Sequence, residues 1–169
     1  MAHLVHVFAI TLTAVAIISQ IVSIATPNYM SDVSTDSVYE KIGLFYWCDG
    51  RDCQKVPSET FPSWAETVQV LAIVALIGLV FALVTGIASI CSHSNYYILN
   101  IVAAVIVFLA AFFIMVEFSF FVAEKKTDPL LMRDNFRLGY SFFFSITAFL
   151  LSLAGGVFFI LTLFCTPEY

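Results

Sequence analysis

Charged residues are scarce in this sequence. Asp, Glu, Lys and Arg make up 11% of its 169 residues, whereas they make up about a quarter of an average soluble domain. Hydrophobic residues make up 61%, and the mean hydropathy is +0.98. This composition excludes a water-soluble globular domain and indicates an integral membrane protein. With seven Lys and Arg residues and a net charge of −5, the chain also lacks the basic surface that nucleic-acid binding requires.

Motifs for chemistry are missing as well. His3, His6 and His93 fall at the predicted membrane edges, and no Ser/His/Asp set, Cys/His set or Gly-rich phosphate loop is present. None of the four asparagines begins a glycosylation sequon. Polar groups near the bilayer midplane, which a transporter needs, are rare. We therefore predict no catalytic residues, no metal site, no cofactor and no enzymatic or transport activity.

Four long apolar stretches are each long enough to cross a bilayer, whose hydrocarbon core takes about 20 residues of α-helix. They cover residues 4–25, 68–91, 98–123 and 138–165. The first resembles a signal peptide in ending on a small-x-small triplet, but its apolar run is too long and no Lys or Arg precedes it, so we interpret it as a retained helix. The prediction is an all-α membrane protein, a four-transmembrane-helix bundle formed by a single domain over residues 1–169.

The lengths of the links set the topology. The link at 92–97 is so short that the second and third helices must form an antiparallel hairpin. The longer loops, 26–67 and 124–137, then share one side and contain all seven basic residues, which by the positive-inside rule would make them cytoplasmic. Cys48 and Cys53 indicate the opposite, because a disulfide requires an oxidising compartment. We follow the cysteines and predict extracellular loops, cytoplasmic termini and a plasma-membrane location.

The first long loop has the pattern of a β-hairpin. Residues 38–48 are rich in β-branched and aromatic side chains, and Asp49-Gly50 is a tight-turn signal. We predict a small antiparallel sheet with Cys48 and Cys53 near the hairpin tip, where a disulfide would contribute about 2 kcal/mol and fix the shape of the sheet. Trp64 is interpreted as a membrane-interface anchor rather than a binding residue.

The segment Gly43-Leu44-Phe45-Tyr46-Trp47-Cys48, followed by Cys53, resembles the Gly-Leu-Trp-x-x-Cys…Cys signature of the claudin, peripheral myelin protein and epithelial membrane protein superfamily. Pro27-Asn28-Tyr29 is similar to the Pro-x-Trp of that superfamily. Phe45 and Tyr29 stand where the superfamily carries tryptophans, which separates this chain from the typical claudins. The resemblance implies a left-handed four-helix bundle under a compact extracellular β-sheet, and no enzymatic activity.

Several residues inside the spans carry secondary predictions. Small residues at helical spacing favour packing within the bundle over binding of a neighbouring protein; they are Gly78, Ala82, Gly86, Ser152 and Gly156. Glu117 lies six residues before the end of its span, about 9 Å below the outer boundary. A snorkelling or bundle-bonded carboxylate is favoured there over a proton or cation site. Cys91 and Cys165, at the predicted cytoplasmic helix ends, are either palmitoylation candidates or small buried residues.

Two functions fit these features. The favoured one is a claudin-like junction, adhesion or membrane-organising protein that contacts itself or another claudin-like protein in cis or trans. Its contact candidates are Leu130, Leu131 and Met132 at the second loop's tip, which could instead fold back on the bilayer, together with Asp49 and Asp52, which would attract cations in a paracellular path. The alternative is an auxiliary subunit of an ion channel or receptor, with the aromatic outer parts of spans three and four against the pore subunit.

Overall fold

A computed structural model describes residues 2–32, 40–49, 52–55, 63–92, 96–127 and 136–165. Its four helices are α1 (Ala2–Ala25), α2 (Ser63–Cys91), α3 (Tyr96–Thr127) and α4 (Tyr140–Cys165). All four are long and apolar enough to cross a membrane. A chain of this composition forms helices because no water in the bilayer core can pair with its backbone groups, so every N–H and C=O must be satisfied within the segment. The predicted four-helix architecture is confirmed.

The helices form a closed ring of neighbours. Helix α1 packs mainly on α4, α2 packs mainly on α3, and contacts between α3 and α4 and between α1 and α2 complete the bundle. Only four residues separate the end of α2 from the start of α3, so these two helices are antiparallel. We call the end of the bundle near this short link the hairpin end, and the opposite end the sheet end.

Small side chains fill the middle of the bundle. Its fully buried positions include Ala9, Ala16, Ala75, Ala82 and Ala111. Larger apolar side chains point outward, and Phe81 and Phe164 are 62% and 81% exposed. This distribution suits a lipid environment, where burying apolar surface gives helices no special reason to associate and close backbone packing through small residues holds them together.

An antiparallel sheet lies at the sheet end. Its five strands are β1 (Met30–Asp32), β2 (Glu40–Ile42), β3 (Tyr46–Asp49), β4 (Asp52–Lys55) and β5 (Phe136–Leu138), in the order β4-β3-β2-β1-β5. The first four strands come from the first long loop, where a small antiparallel sheet was predicted. The fifth was not predicted: β5 pairs with β1, Leu138 opposite Met30, and so brings the second long loop into the same sheet.

Five helix boundaries differ from those of the predicted spans. Two of them, the starts of α1 at Ala2 and of α3 at Tyr96, lie only two residues earlier. Helix α4 begins at Tyr140 rather than at 138, because Leu138 belongs to β5. Helix α2 begins at Ser63 and α3 continues to Thr127, so both extend beyond the predicted spans into the predicted loops. The reason is the same at every boundary. Hydropathy marks where a chain is apolar, whereas helices and strands also include the polar turns that enter and leave the membrane.

Candidate functional site

The β3–β4 hairpin carries the disulfide. Cys48 and Cys53 are opposite each other in the register and are bonded, which confirms the predicted pair. Cys48 is buried and Cys53 is exposed. Asp49 pairs with Asp52 one step closer to the turn, and the Asp52 side chain is exposed. The remaining contact candidates, Leu130, Leu131 and Met132, lie outside the residues that the structure describes.

The residues that carry the family resemblance attach the sheet to the helices. Gly43 sits so close to the loop after α1 that a Cβ there would lie 2.5 Å from the Pro27 Cα. The neighbouring Leu44 is buried and packs in the same cluster as Val68 of α2, and its carbonyl accepts a hydrogen bond of 2.7 Å from the Gln69 side chain. Phe45 packs against the edge of this cluster.

Tyr29 is fully buried at the junction between the sheet and the helices. Its backbone N–H donates to the Ile42 carbonyl at 2.9 Å, and its own carbonyl accepts from the Gly139 N–H at 2.8 Å. Its ring lies 4.7 Å from the Phe121 ring and 6.1 Å from the Phe142 ring, measured between centroids. The backbone of Tyr29 therefore belongs to the sheet region while its side chain lies among the ends of α3 and α4.

The Tyr29 hydroxyl reaches the carboxylate of Glu117. It donates to Glu117 Oε1 at 2.7 Å, and the Gln20 Nε2 of α1 donates to Oε2 at 2.8 Å. Ser145 of α4 makes a longer contact of 3.4 Å to Oε1. All four side chains are fully buried. We call Gln20, Tyr29, Glu117 and Ser145 the carboxyl cluster; it joins α1, α3, α4 and the sheet in one hydrogen-bonded group.

The environment of Tyr29 changes its acidity. Burial is the larger cause and the nearby Glu117 carboxylate the next, and both raise the pKa of the Tyr29 phenol well above its ordinary value. Both effects disfavour a phenolate, which would be a second anion in a poorly solvated space. Tyr29 thus remains a hydrogen-bond donor over the whole physiological pH range.

Sequence reasoning singled out Glu117 and Tyr29 but did not connect them. It also missed Gln20 and Ser145. A usable signal was present, because Gln20 is an amide within the first apolar run and Glu117 a carboxylate within the third. Polar groups inside a bilayer must pair with one another or face a wet cavity, and this requirement would have suggested that they meet.

A second buried polar group lies at the hairpin end. His6 was placed at a membrane edge in the sequence analysis, but its side chain turns into the bundle and is 1% exposed. Its Nε2 lies 3.0 Å from the Ser89 hydroxyl, which itself donates to the Gly86 carbonyl at 2.7 Å. The hydroxyl hydrogen is thereby engaged, so His6 is the donor to Ser89. The His6 ring also meets Tyr96 and Phe159 edge-on.

The small residues singled out in the sequence lie at helix contacts inside the bundle. A Cβ on Gly78 would lie 3.4 Å from Ala110, whereas Cβ atoms on Gly86 and Gly156 would come within 2.8 and 2.9 Å of the Phe159 and Phe108 rings. Ala82 and Ser152 are fully buried. This placement favours packing within the bundle as their role.

Two further predicted residues lie at the ends of helices. Cys91 and Cys165 end α2 and α4 at the hairpin end, and both are unpaired and exposed. Trp64, interpreted as an interfacial anchor, is half-buried near the start of α2 and meets Phe121 edge-on at 6.0 Å. It therefore also takes part in the packing beneath the sheet.

Four apolar helices with a disulfide-bonded sheet across one end define the class: a tetraspan membrane protein. The model of the PMP-22/EMP/MP20/Claudin family matches residues 3–159, and the chain belongs to this family. The family resemblance predicted from the sequence is thereby confirmed. Members of this family are known as non-enzymatic structural membrane proteins. A comparison with curated proteins gives no match to the sequence.

Proposed function

We propose that this protein acts at cell–cell contacts, as a non-enzymatic, claudin-like junction, adhesion or membrane-organising protein that can shape paracellular permeability. The observation that carries the proposal is the construction of the sheet. Both long loops contribute strands, and buried side chains attach the sheet to three helices. A surface held in this way has a fixed orientation, which reduces the conformational entropy lost when it binds a partner.

The disulfide supports an orientation for this surface. Because structural disulfides persist in oxidising compartments, the sheet end faces the cell exterior and both termini face the cytoplasm. The basic residues of the long loops argue the other way by the positive-inside rule. We give the covalent bond more weight, since loop charge is a statistical bias. In this orientation Cys91 and Cys165 are accessible to palmitoylation at the cytoplasmic face.

The proposed partner is a second copy or another claudin-like protein, in cis or in trans. Residues 26–67 contain seven acidic and three basic residues, a net charge of −4. On the hairpin, Asp52 is exposed beside the turn and Tyr46 is 41% exposed. Acidic groups at such a surface would attract cations into a path between two cells. Leu130, Leu131 and Met132 would add an apolar contact from the second loop.

A mixing assay tests the contact role. Cells that express the tagged protein are plated with cells that do not, and protein density is compared between borders of two expressing cells and mixed borders. Enrichment at borders where both cells express the protein is expected for homotypic trans contact. Equal density over the whole cell surface would overturn the proposed role in trans contact.

A permeability measurement tests the charge of the hairpin. In cell monolayers that express the protein, Asp52→Asn should lower the permeability ratio of Na⁺ to Cl⁻ by up to about fivefold, the effect of about 1 kcal/mol from one exposed charge. Glu66→Gln is the matched control, because it removes the same charge at an exposed site on α2. An equal effect of both variants would show that only net charge matters.

A second candidate function has its own observation. At the sheet end of α3 and α4, Phe120, Tyr140 and Phe143 are 45%, 49% and 59% exposed. Such an aromatic surface could contact the helices of a channel or receptor pore subunit, with this protein as an auxiliary subunit. Photocrosslinking from position 143, with position 164 at the hairpin end as control, distinguishes the two: a single discrete adduct with a pore subunit supports this role, and lipid adducts alone exclude it.

A further inference from the structure

We propose that Glu117 is a proton-binding site, and that its proton controls how firmly the sheet is attached to the helix bundle. The inference concerns the carboxyl cluster and is independent of the contact function. It rests on the lack of a counter-charge, on the close hydrogen bonds around the carboxyl group and on an unpartnered atom of Gln20.

Glu117 has no positive partner among the described residues. Its hydrogen-bond donors are a neutral amide, a neutral phenol and a neutral hydroxyl. A carboxylate that is removed from water without a cation beside it carries a large desolvation cost, which a proton removes. The full burial of Glu117 within an apolar span adds to this cost.

The groups around Glu117 offer no other charge. Tyr29 is its one titratable neighbour among the described side chains, and it is held in the neutral form. Helix α1 presents Gln20 and α4 presents Ser145. Helix α2 contributes Ala72 to the cluster that contains Tyr29 and Ala75 to the cluster that contains Ile114, and neither alanine has polar side-chain atoms. Charge on Glu117 would therefore remain uncompensated from every side.

The geometry favours a proton over a metal cation. The Tyr29 and Gln20 donors approach the two carboxyl oxygens to 2.7 and 2.8 Å, distances that leave no space for a metal ion between them. A proton needs no such space. Donors that point their hydrogens at the carboxyl group are also the wrong partners for a cation, which requires lone pairs.

Gln20 supplies the acceptor that the proton needs. Its Oε1 is buried and has no hydrogen-bond partner. Rotation of the amide by half a turn brings Oε1 to the position of Nε2, at 2.8 Å from Glu117 Oε2, where it can accept a hydrogen bond from a protonated carboxyl. In the protonated form Gln20 thus accepts from the carboxyl group instead of donating to it, and Nε2 takes the position that Oε1 occupies in the ionised form.

Loss of the proton acts on the sheet through Tyr29. The Tyr29 hydroxyl bonds the carboxyl group while its backbone bonds Ile42 and Gly139 on either side. An uncompensated charge on Glu117 favours entry of water or displacement of α3, and either change disturbs the contact of Tyr29. We therefore expect β1, β2 and β5 to be less protected when Glu117 is ionised.

Infrared spectroscopy of the full chain in nanodiscs tests the protonation directly. A carboxyl C=O band at neutral pH that is absent in Glu117→Gln is expected. It should disappear when the pH is raised, with a simultaneous increase in hydrogen exchange at residues 29–32 and 136–139. Absence of the band from the wild type at neutral pH would overturn the proposal.

Thermal unfolding measures the consequence. Over the pH range in which folded Glu117 keeps its proton and the unfolded chain has lost it, the unfolding midpoint should fall by about 3–5 °C per pH unit. The fall should end once folded Glu117 is ionised, and Glu117→Gln, which is permanently neutral, should not show it. Tyr29→Phe, which keeps the carboxyl group, should retain it. An unfolding midpoint with the same pH dependence in the wild type and in Glu117→Gln would refute the proposal that Glu117 controls the attachment of the sheet. If Glu117→Gln does not fold, the wild-type infrared titration with its exchange readout decides alone.

Discussion

At the scale of single residues, Tyr29 carries both a backbone role and a side-chain role. Replacing it with Phe keeps the ring stack on Phe121 and Phe142 but removes the hydroxyl that donates to Glu117. The carboxyl group then loses a buried partner, a loss that costs about 1–3 kcal/mol. We expect Tyr29→Phe to lower the unfolding midpoint in detergent or nanodiscs. Thr147→Val, which removes an exposed hydroxyl on α4, is the control and should change little.

The acidity of Tyr29 gives a separate prediction at the same scale. Its pKa is raised in the fold by burial and by Glu117, so the neutral phenol stabilises the folded state. This stabilisation is complete below the ordinary tyrosine pKa of about 10 and is lost as the pH rises through the higher folded value. In an absorbance titration, tyrosine ionisation should include a late step, and Tyr29→Phe should reduce its amplitude by one tyrosine. A variant titration in which the late step keeps its full amplitude would contradict the assignment.

Residue-level prediction from the sequence had a definite limit. Glu117 stood out because a carboxylate inside an apolar span is rare, and Tyr29 because it replaces a tryptophan of the superfamily signature. The sequence could not show that the side chains of these two residues contact each other. The hydroxyl that a tryptophan lacks is the group that meets the carboxyl at 2.7 Å, and only the return of the chain over α3 brings them together.

At the scale of elements, the join between β5 and α4 depends on Gly139. A Cβ there would collide with the carbonyl oxygen of Asn28, because the N–H of Gly139 bonds the adjacent Tyr29 carbonyl at 2.8 Å. Gly139→Ala should displace β5 from β1 and destabilise the protein by about 1–3 kcal/mol, as overpacking does. Gly78→Ala is the matched control, since its Cβ would make an ordinary contact of 3.4 Å with Ala110. Equal unfolding midpoints for the two variants would contradict this account.

Elements were predictable where a signal is local. The four spans and the β3–β4 hairpin follow from hydropathy, β-branched residues and a turn dipeptide, all of which act within a few residues. Strand β5 has only three residues, and its last residue, Leu138, is separated from the apolar run of α4 by Gly139 alone. What makes it a strand is its pairing with β1, more than a hundred residues earlier in the chain. No local sequence pattern indicates that β5 pairs with β1.

At the scale of the whole molecule, the sheet is held by several independent contacts, and the disulfide is one of them. It closes a loop with a sequence separation of 5 between strands that are already paired, so it constrains the unfolded chain only slightly. The cluster of Tyr29, Met30, Leu44 and Phe121 attaches the sheet to the bundle at a distance from the cysteines. We therefore expect Cys48→Ser/Cys53→Ser to lose about 2 kcal/mol of stability but to keep the bundle and the β1–β2–β5 pairing.

The double variant separates this local role from a global one. Hydrogen exchange should rise in residues 46–49 and 52–55, which form the hairpin, and remain unchanged in 30–32 and 136–138. Tyr29→Phe should give the reverse pattern, because it acts beneath β1 and leaves the hairpin bond intact. Loss of protection across all five strands in the cysteine variant would mean that the disulfide, rather than the buried contacts beneath β1, determines whether the sheet forms at all.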